Sequence, residues 1–210
     1  MTAYRHIAGF LGREETTRLL RVAEAGAHLL REVGSPAGFG PRYRVIDGET
    51  MRRQWPEIVA YGEGELRQTV ERITGLRLRL MDSPKRAMHV QVYARPDDGF
   101  RWHFDGHTLA AMLTLRNSGG GATELISPRL SRWLRWPLYA LYPWPRVFSL
   151  LPARRMVAEP GDLVILRGET VLHRGVRGDG GERWLLIFNY DEVGRRPNRL
   201  RDWLARRINY

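Results

Sequence analysis

The feature that most constrains this chain is a change of period. Up to about residue 75 the apolar residues recur at helical spacing; after it they alternate or run at strand length. "LRLRLM" (76–81) and "MHVQVY" (88–93) alternate strictly, the pattern of strands with one buried face. "LAAMLTLRN" (109–117), "GDLVILRG" (161–168) and "RWLLIFNYD" (183–191) are further strand-length apolar runs. Before them, Leu19, Leu20, Ala23, Ala27 and Leu30 predict a helix over 13–33, stopped by "VGSPAGFGP". Leu66, Val70 and Ile73 predict a second over 63–74. Helices followed by strands predict an α+β fold, with helices supporting a mainly antiparallel sheet or barrel.

A length of 210 residues suits one domain with a full core, and no linker divides the chain. The expected organisation is a single domain over 1–210, with helical support over 1–75, a strand core over 76–191 and a tail over 192–210. One stretch interrupts the strands. Residues 127–155, "SPRLSRWLRWPLYALYPWPRVFSLLPARR", hold six arginines, no acids and a run of tryptophans and tyrosines. Pro137, Pro143 and Pro145 speak against one long helix, so this reads as an insertion between two strands. Inserted at the rim of a barrel, it is expected to act as a lid. The alternatives are a dock for an acidic carrier protein or an anionic surface, or a helical hairpin covering one face of the sheet.

With no cysteine in the chain, disulfides, zinc–thiolate sites and cysteine nucleophiles are excluded, and any metal must use His, Asp or Glu. No long apolar segment opens the chain and none reaches membrane-spanning length, so a soluble cytoplasmic location is expected. The net charge of +11 points to an acidic partner or an anionic substrate; arginine-rich composition alone would also produce it.

The chemistry concentrates in "RWHFDGH" (101–107). A first-row metal with open positions is often held by two histidines and one carboxylate. His103 and Asp105, two apart at a strand end, point the same way and supply two ligands. Alone, His-x-Asp is a weak signal, equally a hydrogen-bonded turn. His173, after the 161–168 strand, supplies a third candidate, and Arg183 follows ten residues on. His107 lies on the same parity but would make a fourth ligand; a substrate contact or a surface histidine is expected of it. Parity also aligns Gln91 and His89 with Tyr93, and Leu185, Ile187 and Asn189 with Arg183. Gln91, His107 and Asn189 are the substrate-contact candidates. Gly119–Gly121 lack a following Lys-Ser/Thr, so they read as a flexible turn rather than a phosphate loop.

Between about 88 and 190 the chain resembles the Fe(II)- and 2-oxoglutarate-dependent dioxygenases, particularly the prolyl 4-hydroxylase-like branch. The resemblance rests on "VYARPDDGFRWHFD", "LTLRNSGGGATEL" and "EPGDLVIL…LHRG…GERWLLIF". It implies a double-stranded β-helix (jelly-roll) core. It implies that His103, Asp105 and His173 hold iron, and that Arg183 pairs bidentately with the distal carboxylate of 2-oxoglutarate in a pocket lined by Tyr93. The implied chemistry consumes 2-oxoglutarate and O2, releases succinate and CO2, and oxidises a substrate C–H bond. Halogenases of that superfamily lack the carboxylate, so Asp105 points to hydroxylation or a related oxidation. The expected substrate is a small molecule: an amino acid, a natural-product intermediate or a carrier-bound group. One alternative is a dioxygenase that dealkylates nucleic acid. It is disfavoured because the last strand, "RWLLIFNY", lacks the second arginine usual in that group. A non-catalytic binding module of the same fold is the third reading.

Overall fold

The alternation read in the sequence places two sets of side chains on opposite faces of one sheet. In β5 (Met88–Tyr93), Met88, Val90 and Val92 face one way and His89, Gln91 and Tyr93 the other. The structure, a computed structural model, describes residues 3–34, 41–141 and 150–195, with the backbone alone for 135–141. Its other strands are β1 (Tyr4–Ile7), β2 (Arg31–Val33), β3 (Tyr43–Asp47), β4 (Leu78–Leu80), β6 (Leu109–Asn117) and β7 (Ala122–Ile126). They are followed by β8 (Ala153–Val157), β9 (Leu163–Leu166), β10 (His173–Val176) and β11 (Arg183–Glu192). The α-helices are α1 (Arg13–Ala25), α2 (Gly48–Gln54), α3 (Pro56–Tyr61), α4 (Arg67–Thr74) and α5 (Pro128–Leu141).

All the strand pairs are antiparallel and fall into two sheets. The larger runs β1-β9-β6-β11-β5-β3-β2, with β4 beside the end of β11; the smaller runs β10-β7-β8. β11 is the spine, pairing with β5 on one side and β6 on the other. Its residues Trp184, Leu186, Phe188 and Tyr190 join the cluster under α1 and α4, while Leu185 and Ile187 meet Leu125 and Met156 of the smaller sheet. Each face therefore has its own apolar partner, which pins the register: a slip of one residue would exchange the two sets. The two-sheet arrangement is the double-stranded β-helix core of an α+β fold. Burial on both faces explains why β6, β9 and β11 read as near-continuous apolar runs rather than alternating ones.

Several elements differ from the sequence expectation. The helix predicted over 13–33 ends at Ala25. A Cβ on Gly26 would lie 2.4 Å from the Trp55 ring, so the chain turns where that ring packs against it. Arg31–Val33 instead forms an edge strand on β3. The helix predicted over 63–74 begins earlier, at Pro56, and passes through a π-helical segment, Gly62–Leu66. The Gly62 carbonyl accepts a 2.7 Å hydrogen bond from the Tyr190 hydroxyl. β1, β2 and β3 lie in the part read as helical support, so helices and strands interleave there.

The 127–155 segment also differs. α5 runs through Pro137 to Leu141, and residues 153–155 belong to β8, which pairs with β7. The first turns of α5 are packed down: Leu130 and Leu134 lie on Trp102, Phe104, Ile126 and Leu172. Ser131 Oγ donates to the Ile126 carbonyl at 3.2 Å and accepts from Leu172 N at 3.0 Å. This stretch is packed against the smaller sheet and the 102–104 loop. Residues 142–149 of the expected lid, and 196–210 of the expected tail, lie outside the described residues. No helix among the described residues is long and apolar enough to cross a membrane.

Candidate metal centre

Backbone stitching brings His103, Asp105 and His173 together. His103 and His173 exchange both backbone hydrogen bonds, N to O at 2.9 and 3.1 Å, forming a single antiparallel bridge outside the regular ladders. Asp105 follows in a loop, held by its own N–H donating to the Gly168 carbonyl at 3.0 Å. The parity of a regular strand therefore does not place the carboxylate; the contact with Gly168 does. A Cβ on Gly168 would lie 1.7 Å from Asp105 Oδ2 and 2.9 Å from His173 Cε1. Gly168→Ala is therefore expected to displace the carboxylate and weaken divalent-metal affinity by about 10–100-fold, the range seen when ligand orientation is disturbed. Calorimetric titration with nickel checks this, and an unchanged Kd contradicts it.

One ligating atom from each of the three residues lies within 4.8 Å of the others, and all three residues are buried. His103 Nε2 is 3.2 Å from Asp105 Oδ1, and His173 Nε2 is 3.6 Å from Oδ2. Each imidazole is oriented through its other nitrogen: His103 Nδ1 lies 2.8 Å from the Arg101 carbonyl and His173 Nδ1 2.9 Å from that of Val171. A carbonyl can only accept, so Nδ1 carries the proton and the Nε2 lone pair faces the carboxylate. Burial pushes His173 down to about 4, which keeps that lone pair available. Burial opposes the charge on Asp105, but the surrounding imidazoles of His107, His173 and His103 hold it well below the usual carboxylate range.

These shifts have a consequence for stability. Between about 4 and the ordinary value of 6.5, His173 stays neutral in the fold but is protonated in the unfolded chain. His89, also pushed down to about 4 by burial, adds to the effect. The unfolded state binds more protons there, so this stability is full above 6.5 and is lost as pH falls toward 4. Melting of the metal-free protein should drop by about 10 °C from pH ~7 to ~5. A flat melting temperature across that window would contradict neutral burial of these rings.

Across the same cavity, Arg183 is 2% exposed. It donates to the Ala122 carbonyl at 2.7 Å and to Thr123 Oγ1 at 3.1 Å; its Nε has no partner, and no carboxylate pairs with it among the described residues. A buried guanidinium without a counter-ion is costly unless an anion joins it. Its ring neighbour is Tyr93, 5.9 Å from the guanidinium carbon, with its hydroxyl pushed up to about 12 by burial. Gln91 Nε2 donates to that hydroxyl at 2.6 Å, and Gln91 Oε1 lies 3.3 Å from His89 Nε2. Gln91 thus belongs to an internal chain from His89 to Tyr93.

All the parity candidates line this cavity: His89, Gln91 and Tyr93 from β5, and Arg183, Leu185, Ile187 and Asn189 from β11. Asn189 sits at the end away from Arg183, its amide donating to the Arg86 carbonyl at 2.6 Å. His107 is 6% exposed, with Nε2 3.2 Å from Asp105 Oδ2 but without hydrogen-bond geometry at either ring nitrogen. It is not a surface histidine. Arg174 and Arg177 are engaged elsewhere, with Glu124 at 2.6 Å and the Gly181 carbonyl at 2.9 Å. Sequence reasoning missed Thr123, Gly168 and Gly175. A Cβ on Gly175 would lie 2.4 Å from the Tyr93 hydroxyl, so the glycine of "HRG" makes room for that ring. The Gly119–Gly121 turn is not loose. The Asn117 side chain bonds Gly121 at both ends, at 2.7 and 2.8 Å, and a Cβ on Gly119 would meet the Gly180 carbonyl.

No protein-family profile matches the sequence, and no curated protein does. Solved structures do. SnoK, a non-heme alpha-ketoglutarate-dependent carbocyclase from nogalamycin biosynthesis, matches 91% of this chain and 80% of its own at a TM-score of 0.68 and 17% identity. HygX from Streptomyces hygroscopicus, solved with nickel and 2-oxoglutarate, matches 93% and 85% at 0.67 and 16%. A Pseudomonas putida prolyl-4-hydroxylase matches 91% and 94% at 0.57 and 16%. The chain shares the fold of these proteins.

Proposed function

We propose that this chain is an Fe(II)- and 2-oxoglutarate-dependent oxygenase that hydroxylates a C–H bond of a small molecule. The observation that carries the reading is the pairing, within one cavity, of a buried two-histidine, one-carboxylate cluster with a buried guanidinium that no carboxylate among the described residues neutralises. The donor set suits a divalent first-row ion: two imidazoles with their Nε2 lone pairs turned inward and one ionised carboxylate. Fe(II) held by His103, Asp105 and His173, with 2-oxoglutarate and O2, supplies oxidative decarboxylation to succinate and CO2 coupled to oxidation of the substrate.

The chain's own contributions follow from its geometry. Arg183 is fixed by Ala122 and Thr123, so its remaining donors are already oriented toward a carboxylate. Tyr93 accepts from Gln91 and stays protonated, leaving its O–H as a donor into the cavity. Leu185, Ile187, Met112 and Leu166 form the apolar wall and exclude water. His107 and Asn189 lie on the side away from Arg183, where a substrate would meet them. The exposed Arg129, Arg132 and Trp133 on α5 are consistent with an acidic carrier protein or anionic surface as a docking partner.

The test is turnover. Purified protein with Fe(II), 2-oxoglutarate, ascorbate and O2 should release succinate and CO2 even without substrate, at a slow uncoupled rate. A screen for a +16 Da product over amino acids and carrier-bound acyl groups then seeks the substrate. Absence of succinate from protein shown to hold iron would overturn the reading in favour of a binding module.

A further inference from the structure

Side chains two apart on a strand share a face, so His89, Gln91 and Tyr93 of β5 stand in a row along the cavity. The row is hydrogen-bonded from end to end. His89 Nε2 lies 3.3 Å from Gln91 Oε1, and Gln91 Nε2 donates to the Tyr93 hydroxyl at 2.6 Å. Gln91 is 5% exposed, and its cross-strand neighbours, Val45 on β3 and Leu185 on β11, offer the amide no polar side chain. The two ends of the row serve different parts of the cavity. Tyr93 is paired with Arg183 in the β5–β11 ladder, its ring 5.9 Å from the guanidinium carbon. His89 is paired with Ile187, four residues further along β11, toward the end where Asn189 lies.

The polarity of the row is set from the histidine end. An amide oxygen only accepts, so the proton of the neutral His89 ring sits on Nε2. Gln91 then presents its NH2 to Tyr93, and the hydroxyl, accepting from the amide, keeps its own proton to give. The reverse polarity, with Tyr93 donating to the amide oxygen, would turn only hydroxyl lone pairs toward an anion on Arg183. Such an anion selects against it.

We propose that His89 and Gln91 are positioning residues: they fix the Tyr93 hydroxyl as a donor to the anion held by Arg183, so that co-substrate affinity depends on a histidine at the other end of the cavity. The inference rests on the oxygenase reading for the identity of that anion as 2-oxoglutarate.

A double-mutant cycle tests the relay without turnover. The nickel-loaded protein is titrated with 2-oxoglutarate by calorimetry. Tyr93→Phe removes the donor and should raise the Kd at least about tenfold, as for a hydrogen bond to a charged group. Gln91→Met frees the hydroxyl to rotate and should raise it about fivefold; His89→Phe frees the amide to flip and should raise it about threefold. Gln91→Glu should weaken binding at least about tenfold, because a carboxylate accepts the Tyr93 proton and takes it from the anion. With Tyr93→Phe already present, Gln91→Met and His89→Phe should each change the Kd by less than about twofold, and Gln91→Glu should lose most of its effect. Lost packing, or charge acting through space, would persist in that background, and such persistence would overturn the relay. Parent-like Kd values in all three variants would overturn it too. Nickel affinity on the same samples reports whether each variant keeps the cavity; should Gln91→Met lose it, His89→Phe carries the test, since it leaves the amide in place. A parent that binds nickel but no 2-oxoglutarate would overturn the oxygenase reading together with the relay. A parent that binds it, with variants whose effects do not depend on Tyr93, would overturn the relay alone.

Discussion

Asp105→Ala is expected to abolish iron-dependent succinate formation, with a loss above about 100-fold, while leaving a folded protein. The expectation follows from how few donors converge. His103, Asp105 and His173 form the sole group of three ligating residues among those described, and no second carboxylate among the described residues lines the cavity to replace Asp105. The fold should tolerate the change, because the carboxylate is buried among imidazoles and its removal strands no buried cation; His173 remains neutral. Circular dichroism and melting separate loss of the site from loss of structure. His103→Ala and His173→Ala should behave alike in turnover, though each also vacates a ring that lies tilted against its partner at 4.2 Å. Asp105→Gly, which keeps both histidines, should still bind iron weakly and lose hydroxylation. His107→Ala is the control: its ring approaches Asp105 but lies outside the ligand group, so iron binding should persist. Parent-like turnover in any of the three ligand variants would remove the metal assignment.

Arg183→Leu should raise the KM for 2-oxoglutarate by roughly 30- to 3000-fold, the cost of about 2–5 kcal/mol for deleting one partner of a buried charge pair. Arg183→Lys keeps the charge and loses the fork. A lysine cannot span the Ala122 carbonyl, the Thr123 hydroxyl and a carboxylate with fixed geometry, so a rise of about tenfold is expected. The contrast between the two variants separates charge from geometry. If neither variant changes KM, Arg183 does not hold the co-substrate, and the anion it needs is something else.

The strands that carry most of the site were legible by two signals. β6, β9 and β11 are apolar runs buried on both faces, β5 alternates, and parity along β5 and β11 put Tyr93, Gln91, His89, Arg183 and Asn189 on one surface. The strands that were missed lack that signal. β1 and β2 are three- or four-residue edges with exposed positions, and β10 reads "HRGV", a histidine and a glycine where an apolar run would be sought. The partners of β1 and β10, β9 and β7, are also distant in sequence, so nothing local announces them. The same limit applied within the site. His-x-Asp suggested a strand, but the carboxylate is aimed by the Gly168 backbone, 63 residues away, which only the fold reveals. α5 misled in the opposite sense. Its prolines spoke against one long helix, yet α5 runs through Pro137, and Leu130, Ser131 and Leu134 bind its first turns to the back of the loop that carries His103 and Asp105.

Whether one cavity joins a metal cluster to a carboxylate-binding arginine is tested most directly by an anaerobic titration. Fe(II) and then 2-oxoglutarate are added to the protein without oxygen, and the visible charge-transfer absorption of an iron–2-oxo-acid complex is followed. The wild-type chain should develop the band at one equivalent of each. Asp105→Ala should develop none, and Arg183→Leu should develop it only at much higher 2-oxoglutarate. A folded wild-type protein that binds iron but shows no band at saturating 2-oxoglutarate, or an Arg183→Leu variant that titrates like the parent, would contradict the account.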